Sequence, residues 1–431
     1  MFAAVILVAP DQAAPPSIVL ILTDDQRWDT LWAMPTVQAQ LVDKGVRFAR
    51  AFVSNPQCCP SRASILTGTY SHTNGVWANG GADGGFGAFD DSSTVATWLD
   101  DAGYRTAYIG KYLNEYGASN TSYVPPGWDR WFAFAQPPGY YDYDIVADGT
   151  LRSYGSSPSD YSTDVLARRA VAFIEKADPS VPLFLVVAPY APHKPPTPAP
   201  RDEGTYGSWT PDWPPSFNER NVSDKPPYIA ERDVLDPDAE SAFARDQVES
   251  LLAVDEAVAG ILDALEDSGR LSSTSVIFTS DNGHLWGEHR WKRKAVPYEE
   301  SIRVPLVIRS DGLLSPGIDH RLVVNIDLAP TIAGLAGIPA PGAEGVNLFS
   351  ESSRSRFVIE HLREEDPVPS YCGLRTRRSA YIHYDGDSRS STTSSKTLTS
   401  SIIAPGVRGR VTTLSLFGNV RSTFAIRCYQ E

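Results

Sequence analysis

The sequence predicts an α/β fold: a large, mostly parallel sheet flanked by helices, followed by a small C-terminal α+β subdomain. Three observations predict it. Continuous apolar runs such as residues 17–22 have the composition of strands buried on both faces. Helical segments alternate with those runs, as crossovers between parallel strands require. The chain has 431 residues, 42% of them hydrophobic, enough for one large core and a smaller unit beside it.

Taken in order, residues 17–22 form the first strand. Residues 36–44 read as a helix closed by Gly45. Pro60 suits the first turn of a helix over residues 61–68, which leaves Cys58 just ahead of its N-terminus. That end offers free N–H groups and partial positive charge, an anion site. Residues 93–102 form a helix stopped at Gly103, and residues 105–109 a strand. Residues 164–177 are helical and 183–187 a strand. The Pro-rich residues 192–227 predict a long surface loop beside the site. Residues 246–266 form a long amphipathic helix, with Val248, Leu251, Leu252, Val258, Ile261, Leu262 and Leu265 on its period. Residues 275–278 and 304–308 are strands, and no internal repeat is present.

The net charge of −14 argues against a nucleic-acid partner. Four cysteines are too few for a disulfide scaffold. No segment is long enough to span a bilayer. Residues 1–16 read as a leader or truncated signal, because a short apolar run precedes Ala13-Ala14-Pro15-Pro16 without a basic start. Export is the expected localisation. Lys292-Arg293-Lys294 and Arg375, Arg377 and Arg378 are basic clusters, the second read as solvated surface.

The residues just past each strand carry the chemistry. Thr23-Asp24-Asp25-Gln26 succeeds the first strand, and Gly110-Lys111-Tyr112-Leu113-Asn114 the strand at 105–109. His193 lies just past the strand at 183–187, and Ser280-Asp281-Asn282-Gly283-His284 past that at 275–278. Ligands of open α/β sheets sit at such carboxyl ends. Asp24, Asp25, Asp281 and the Asn282 carbonyl make an oxygen shell for Ca²⁺, with Mg²⁺ the second choice. Asp24-Asp25 alone would equally read as a cap or turn. Few His and no Cys-x-x-Cys argue against zinc. Lys111 and His193 are placed to meet an anion, whereas His284 and His289 suit a supporting layer or a substrate subsite.

The run Cys58-Cys59-Pro60-Ser61-Arg62, continuing into Leu66-Thr67-Gly68, resembles the signature of type I sulfatases of the alkaline phosphatase superfamily. The bland reading is a pair of packed cysteines ahead of a helix. The resemblance covers residues 17 to about 384 and implies an alkaline phosphatase-like sheet. It implies that a formylglycine-generating enzyme converts Cys58 to formylglycine, whose hydrate attacks the sulfur of a sulfate ester. Asp24, Asp25, Asp281 and Asn282 would bind Ca²⁺ together with the modified Cys58. Arg62 would hold the formylglycine. Lys111, His193 and Lys294 would contact the sulfate, with His193 or Lys294 near the leaving oxygen. Lys294 is placed by the run Lys294-Ala295-Val296-Pro297-Tyr298-Glu299 leading into Ile302-Arg303-Val304-Pro305.

Where many members carry Gly-Lys-Trp-His, this chain has Gly110-Lys111-Tyr112-Leu113, so a supporting His is missing and its role is unfilled or passes to Asn114. Together with Tyr123-Val124-Pro125-Pro126-Gly127-Trp128, this stretch is similar to N-acetylglucosamine-6-sulfatases and heparan 6-O-endosulfatases. The implied substrate is a sulfated sugar, such as N-acetylglucosamine 6-sulfate. Two alternatives stand beside it: a phosphonate or phosphate monoester hydrolase of the same superfamily, and a non-catalytic protein binding sulfated glycans.

The expected organisation is a catalytic domain over residues 17–345 and a C-terminal subdomain over 346–387. Residues 388–431 form an atypical polar tail. Codons can be chosen for residues 390–401 so that another frame reads Glu-Leu-Tyr-Asp-Leu-Glu-Gln-Asp-Pro-Asn-Glu-Leu, the kind of continuation the family carries. A reading-frame shift near Ser388 is therefore expected, and sequencing the gene there tests it.

Overall fold

A computed structural model describes residues 15–385 apart from 351, 365 and 366. The expectations for a leader, but for residues 15 and 16, and for a frame shift near Ser388 lie outside the described residues. The sheet has ten strands. In chain order these are β1 (Ser17–Thr23), β2 (Val46–Phe48), β3 (Arg105–Gly110), β4 (Arg130–Phe134), β5 (Tyr143–Ala147) and β6 (Thr150–Tyr154). They continue with β7 (Leu183–Ala188), β8 (Thr274–Ser280), β9 (Leu306–Ser310) and β10 (Gly317–Asp319). Their spatial order is β10-β2-β9-β8-β1-β7-β3-β4-β5-β6. The run β8-β1-β7-β3-β4 is parallel throughout. Antiparallel strands flank it: β9 beside β8 on one side, β5 and β6 on the other.

All seven residues of β1 are buried. Alternate side chains point to opposite faces, and each face has its own core. Val19 and Ile21 join the core containing Val165, Leu166 and Ile174 of α3 (Ser162–Glu175) and Val254, Val258 and Ile261 of α4 (Pro237–Asp267). Ile18, Leu20 and Leu22 join the core containing Ala63 and Ile65 of α1 (Cys58–Thr67), Val95 and Leu99 of α2 (Val95–Asp101) and Ala329 and Ile332 of α5 (Leu328–Leu335). A strand covered on both faces has no polar alternation, which is why β1 reads as a continuous apolar run.

Several boundaries differ from the sequence reading, each for a local reason. α4 begins at Pro237, nine residues ahead of 246, because the Asp236 carboxylate caps the Asp238 N–H and proline occupies the first position. Residues 36–44 were expected to be α-helical, but Val37–Val42 is a π-helical turn whose first N–H groups, Thr36 and Val37, donate to the Asp255 carboxylate at 2.8 Å. Cys58 is not ahead of its helix but is the first helical residue, with extended Gln57 as the cap. The hairpin β5–β6 turns at Asp148-Gly149, both with positive φ, a two-residue turn that joins antiparallel strands.

Beyond residue 345 the described residues hold a small antiparallel sheet of β11 (Arg356–His361), β12 (Tyr371–Thr376) and β13 (Ala380–Tyr384). It is anchored to the large domain. Tyr371 OH donates to Ala295 O at 3.2 Å, Arg375 pairs with Glu299 at 2.8 Å, and the Glu360 N–H donates to Ser54 O at 2.8 Å.

Candidate active site

The carboxyl ends of β1, β3, β7 and β8 meet the N-terminus of α1 at one point. Asp24 and Asp25 follow β1, Lys111 follows β3, His193 follows β7, and Asp281 and Asn282 follow β8. Cys58 opens α1, and Gly68, in the left-handed conformation, closes it (φ 74°). Asn325 Nδ2 donates to Ser61 Oγ at 2.9 Å, and the Cys59 N–H donates to Asn79 Oδ1 at 3.0 Å, fixing the first turn.

The Cys58 thiol donates to Asp24 Oδ1 at 3.2 Å and faces Asp25 Oδ1 at 3.9 Å. Lys294 Nζ touches Cys58 Sγ and Asp25 Oδ1 and lies 3.4 Å from Asn282 Oδ1. Lys111 Nζ donates to Asp24 Oδ2. Arg62, one turn into α1, donates from Nε to Asp281 Oδ2 at 2.8 Å and from Nη1 to Lys111 O. The Asp25 N–H donates to Asp281 Oδ1 at 3.1 Å, and Asn282 Nδ2 to Asp25 Oδ1 at 2.7 Å. His193 Nε2 stands 3.8 Å from Asp25 Oδ2.

Asp24, Asp25 and Asp281 are each at most 1% exposed. Three buried carboxylates require compensating charge. Burial alone would raise Asp24, but Lys111, His193 and Arg62 outweigh it and hold its pKa at about 2. Burial likewise opposes ionisation of Asp25, yet Lys294, His193 and His284 bring it well below the usual carboxylate range. Asp281 goes the other way: burial and neighbouring Asp24 raise it. Burial lowers His193 to about 4, so its ring is neutral at pH 7. Burial, Asp24 and Asp281 push the Cys58 thiol well above its ordinary value, which leaves it protonated and a poor nucleophile as a thiol.

The donor set fits a hard cation. Asp25 Oδ1 and Asn282 Oδ1 already converge on the Lys294 ammonium, a point where positive charge is stabilised. One donor atom each from Asp24, Asp25, Cys58 and His193 lies within 4.8 Å of the others. Asp281 has both oxygens engaged, by Arg62 and by the Asp25 N–H.

The structure thus gathers Asp24, Asp25, Cys58, Arg62, Lys111, His193, Asp281, Asn282 and Lys294. His284 sits behind Asp25, with Nδ1 3.8 Å from Asp25 Oδ2 and its ring stacked on Phe243. No hydrogen bond joins Asn114 to Cys58: its carbonyl accepts the Phe86 N–H at 2.7 Å, its backbone N–H faces the Cys59 thiol, and its Oδ1 is buried without a hydrogen-bond partner among the described residues. His289 is engaged by Glu219 at 2.8 Å. Sequence reasoning passed over Lys194, whose pKa is lowered by burial and by Arg293 and Lys294 against the opposing charge of Asp25. Its place directly after His193 was the available signal. It also passed over Tyr108, whose hydroxyl donates to Lys111 O at 2.5 Å; a tyrosine inside a buried strand carries no mark that separates it from core.

Comparison with known proteins decides the family. Residues 16–338 match the sulfatase family model, and residues 287–390 match the model for the C-terminal part of N-sulphoglucosamine sulphohydrolase. The chain belongs to the sulfatase family. It is 34% identical over 338 residues to a Drosophila melanogaster extracellular sulfatase SULF-1 homolog, covering 76% of this chain and 30% of that protein. It is 34% identical over 342 residues to human N-acetylglucosamine-6-sulfatase, covering 75% of this chain and 61% of that protein. It therefore spans less than two thirds of either sulfatase.

Two solved structures share the fold. One, described as a complex with its substrate D-glucosamine-2-N,6-O-disulfate, has a TM-score of 0.74 at 24% identity, covering 86% of this chain and 89% of that one. The phosphonate monoester hydrolase of Agrobacterium radiobacter has a TM-score of 0.67 at 21% identity, covering 86% and 87%. Among the described residues no helix is long and apolar enough to cross a membrane.

Proposed function

We propose that the protein hydrolyses a sulfate ester on a sulfated sugar, with residue 58 as the nucleophile after conversion of Cys58 to formylglycine. The observation that carries this reading is the setting of Cys58. It opens a helix inside a family-matched sulfatase region, between buried carboxylates and lysines, yet its own thiol is held protonated. A thiol disabled in this way suits a position whose chemistry comes from a modified side chain. Conversion by a formylglycine-generating enzyme during maturation would supply a geminal hydroxyl in place of the thiol.

Asp24, Asp25, Asn282 and residue 58 would hold Ca²⁺, with Asp281 braced by Arg62 as the fourth carboxyl-end group. Such an ion lowers the pKa of a hydroxyl and polarises a sulfate oxygen. The chain's own groups do the rest. Arg62 fixes Asp281 and, through Lys111 O, the end of β3. Lys111 and Lys294 offset charge on the transferring sulfate. His193, neutral at pH 7, orients through Nδ1, which lies 2.7 Å from Lys194 O, so that Nε2 faces the site. Lys294 remains protonated beside residue 58 and supplies the proton for the departing alcohol, whereas the unprotonated Nε2 of neutral His193 can only accept one.

The names of the relatives support N-acetylglucosamine 6-sulfate or a related glucosamine sulfate as substrate, and an exported protein. Peptide mass at residue 58 tests the modification. Replacement of sulfur and two hydrogens by one oxygen is expected, and an unaltered cysteine in catalytically active protein would refute it. Parallel assays with aryl sulfate and aryl phosphate separate sulfatase from phosphatase action: preferential sulfate release is expected.

A further inference from the structure

Of the second basic cluster, read from the sequence as plain surface, Arg375 is buried against Glu299, while Arg377 and Arg378 line a cavity. Arg377 and Arg378 form the turn between β12 and β13, and Arg321 and Arg354 lie opposite. Between them is a cavity of about 630 Å³, to which Ser353 and Ser355 add hydroxyl groups. No described carboxylate lines it. Asp319 balances Arg321 at 2.7 Å, and Asp327 balances Arg354. Among the described residues no carboxylate pairs with Arg377 or Arg378. Arg377 Nη2 is steadied by His320 O at 3.1 Å. Two guanidiniums with no described carboxylate partner in one concavity stand out in a chain of net charge −14. Concentrated like charge attracts an oppositely charged ligand and focuses its field there.

The cavity lies along the edge of the sheet that carries the active site. β9 is antiparallel to β8, and β2 to β9, so β2 and its parallel neighbour β10 run in the direction of β8. Arg321, just past β10, therefore stands at the same carboxyl edge as Asp281. The small sheet gives the span. β12 starts at Tyr371, hydrogen-bonded to the carbonyl of Ala295, the residue after Lys294. It then runs to Thr376 at the cavity, about 17 Å at roughly 3.3 Å per residue. A single sugar cannot bridge that length, whereas an oligosaccharide can.

We infer that the Arg321–Arg354–Arg377–Arg378 cavity binds a sulfate group of an extended sulfated glycan whose reacting sulfate lies at residue 58. Guanidinium forks match the paired oxygens of such anions. The inference rests on the proposed function for its ligand, and its test is independent of turnover.

The experiment measures heparin binding at fixed salt by a Cys58→Ala protein and by the same protein carrying Arg377→Glu and Arg378→Glu. Both arginines are exposed, so folding is expected to persist, and an unchanged thermal midpoint checks it. Reversing two surface charges is expected to weaken heparin binding about tenfold or more. Desulfated heparin is expected to bind weakly to both proteins. In a Cys58-containing background, the double substitution is expected to leave hydrolysis of 4-nitrophenyl sulfate within about twofold, as the site is remote from residue 58. Equal heparin affinity of the two proteins, or equal binding of sulfated and desulfated polymer, would overturn the inference. Absence of turnover on 4-nitrophenyl sulfate would count against the proposed function and not against this cavity.

Discussion

Arg62 Nε donates to Asp281 Oδ2 at 2.8 Å, joining α1 to the carboxyl end of β8 across 219 residues of sequence. Both side chains are at most 1% exposed. The pair ties the helix that begins at Cys58 to the sheet that presents the acids.

Loss of Arg62 should therefore be felt in stability as well as activity. Removing one partner of a buried ion pair leaves an uncompensated charge and costs about 3–5 kcal/mol. Arg62→Ala is expected to lower chemical-denaturation stability by that order and to abolish sulfate release. Arg62→Lys is expected to rescue little, because a single ammonium nitrogen does not reproduce the separate Nε and Nη1 donors that reach Asp281 and Lys111 O.

Calcium should stabilise the fold through the same acids. At a concentration about 100-fold above Kd, a bound ion contributes about 2.7 kcal/mol. Chelation is expected to lower the thermal midpoint, and added Ca²⁺ to restore it. Asp25→Asn is expected to remove that response, measured by calorimetry without any substrate. An unchanged midpoint on chelation, with no ion detected in the protein, would count against the oxygen cage.

Gly110 sets the position of Lys111. Its φ is +123°, and a Cβ there would come within 2.0 Å of Ala188 O, in the neighbouring strand β7. Backbone strain of this kind costs about 1–3 kcal/mol, and the clash adds to it. Gly110→Ala is expected to be destabilised by at least that amount and to lose activity. Wild-type kinetics in this variant would show that the Lys111 backbone is not held tightly.

Stability should also fall in acid through His361, at the end of β11. Burial lowers its pKa from 6.5 to about 3. The unfolded chain therefore binds a proton below pH 6.5 that the folded chain refuses. The stabilisation is complete above the unfolded value and is lost as pH falls from about 6.5 towards 3, by at most about 1.4 kcal/mol per unit for one proton. Urea titrations between pH 7 and 4 are expected to show a shallower slope for His361→Gln than for wild type.

Much of this was legible in the sequence because buried parallel strands leave unbroken apolar runs, and their ends fall where charged residues begin. Asp24, Lys111, His193 and Asp281 were singled out in this way, and the structure brings them together. Lys294 was not, since the nearby strand pair is two residues long on each side and leaves no periodic trace; only its family run placed it. The π-helical turn at Val37–Val42 was hidden because its cap, Asp255, lies more than 200 residues away. The arginine cavity was invisible for the same reason: Arg321, Arg354 and Arg377 meet only through folding.

Sulfate release by matched wild-type and Cys58→Ala proteins tests the central claim most directly. With residue 58 as nucleophile, the variant should retain less than about one thousandth of wild-type turnover on 4-nitrophenyl sulfate while folding normally. Undiminished sulfate release by the variant would contradict the account.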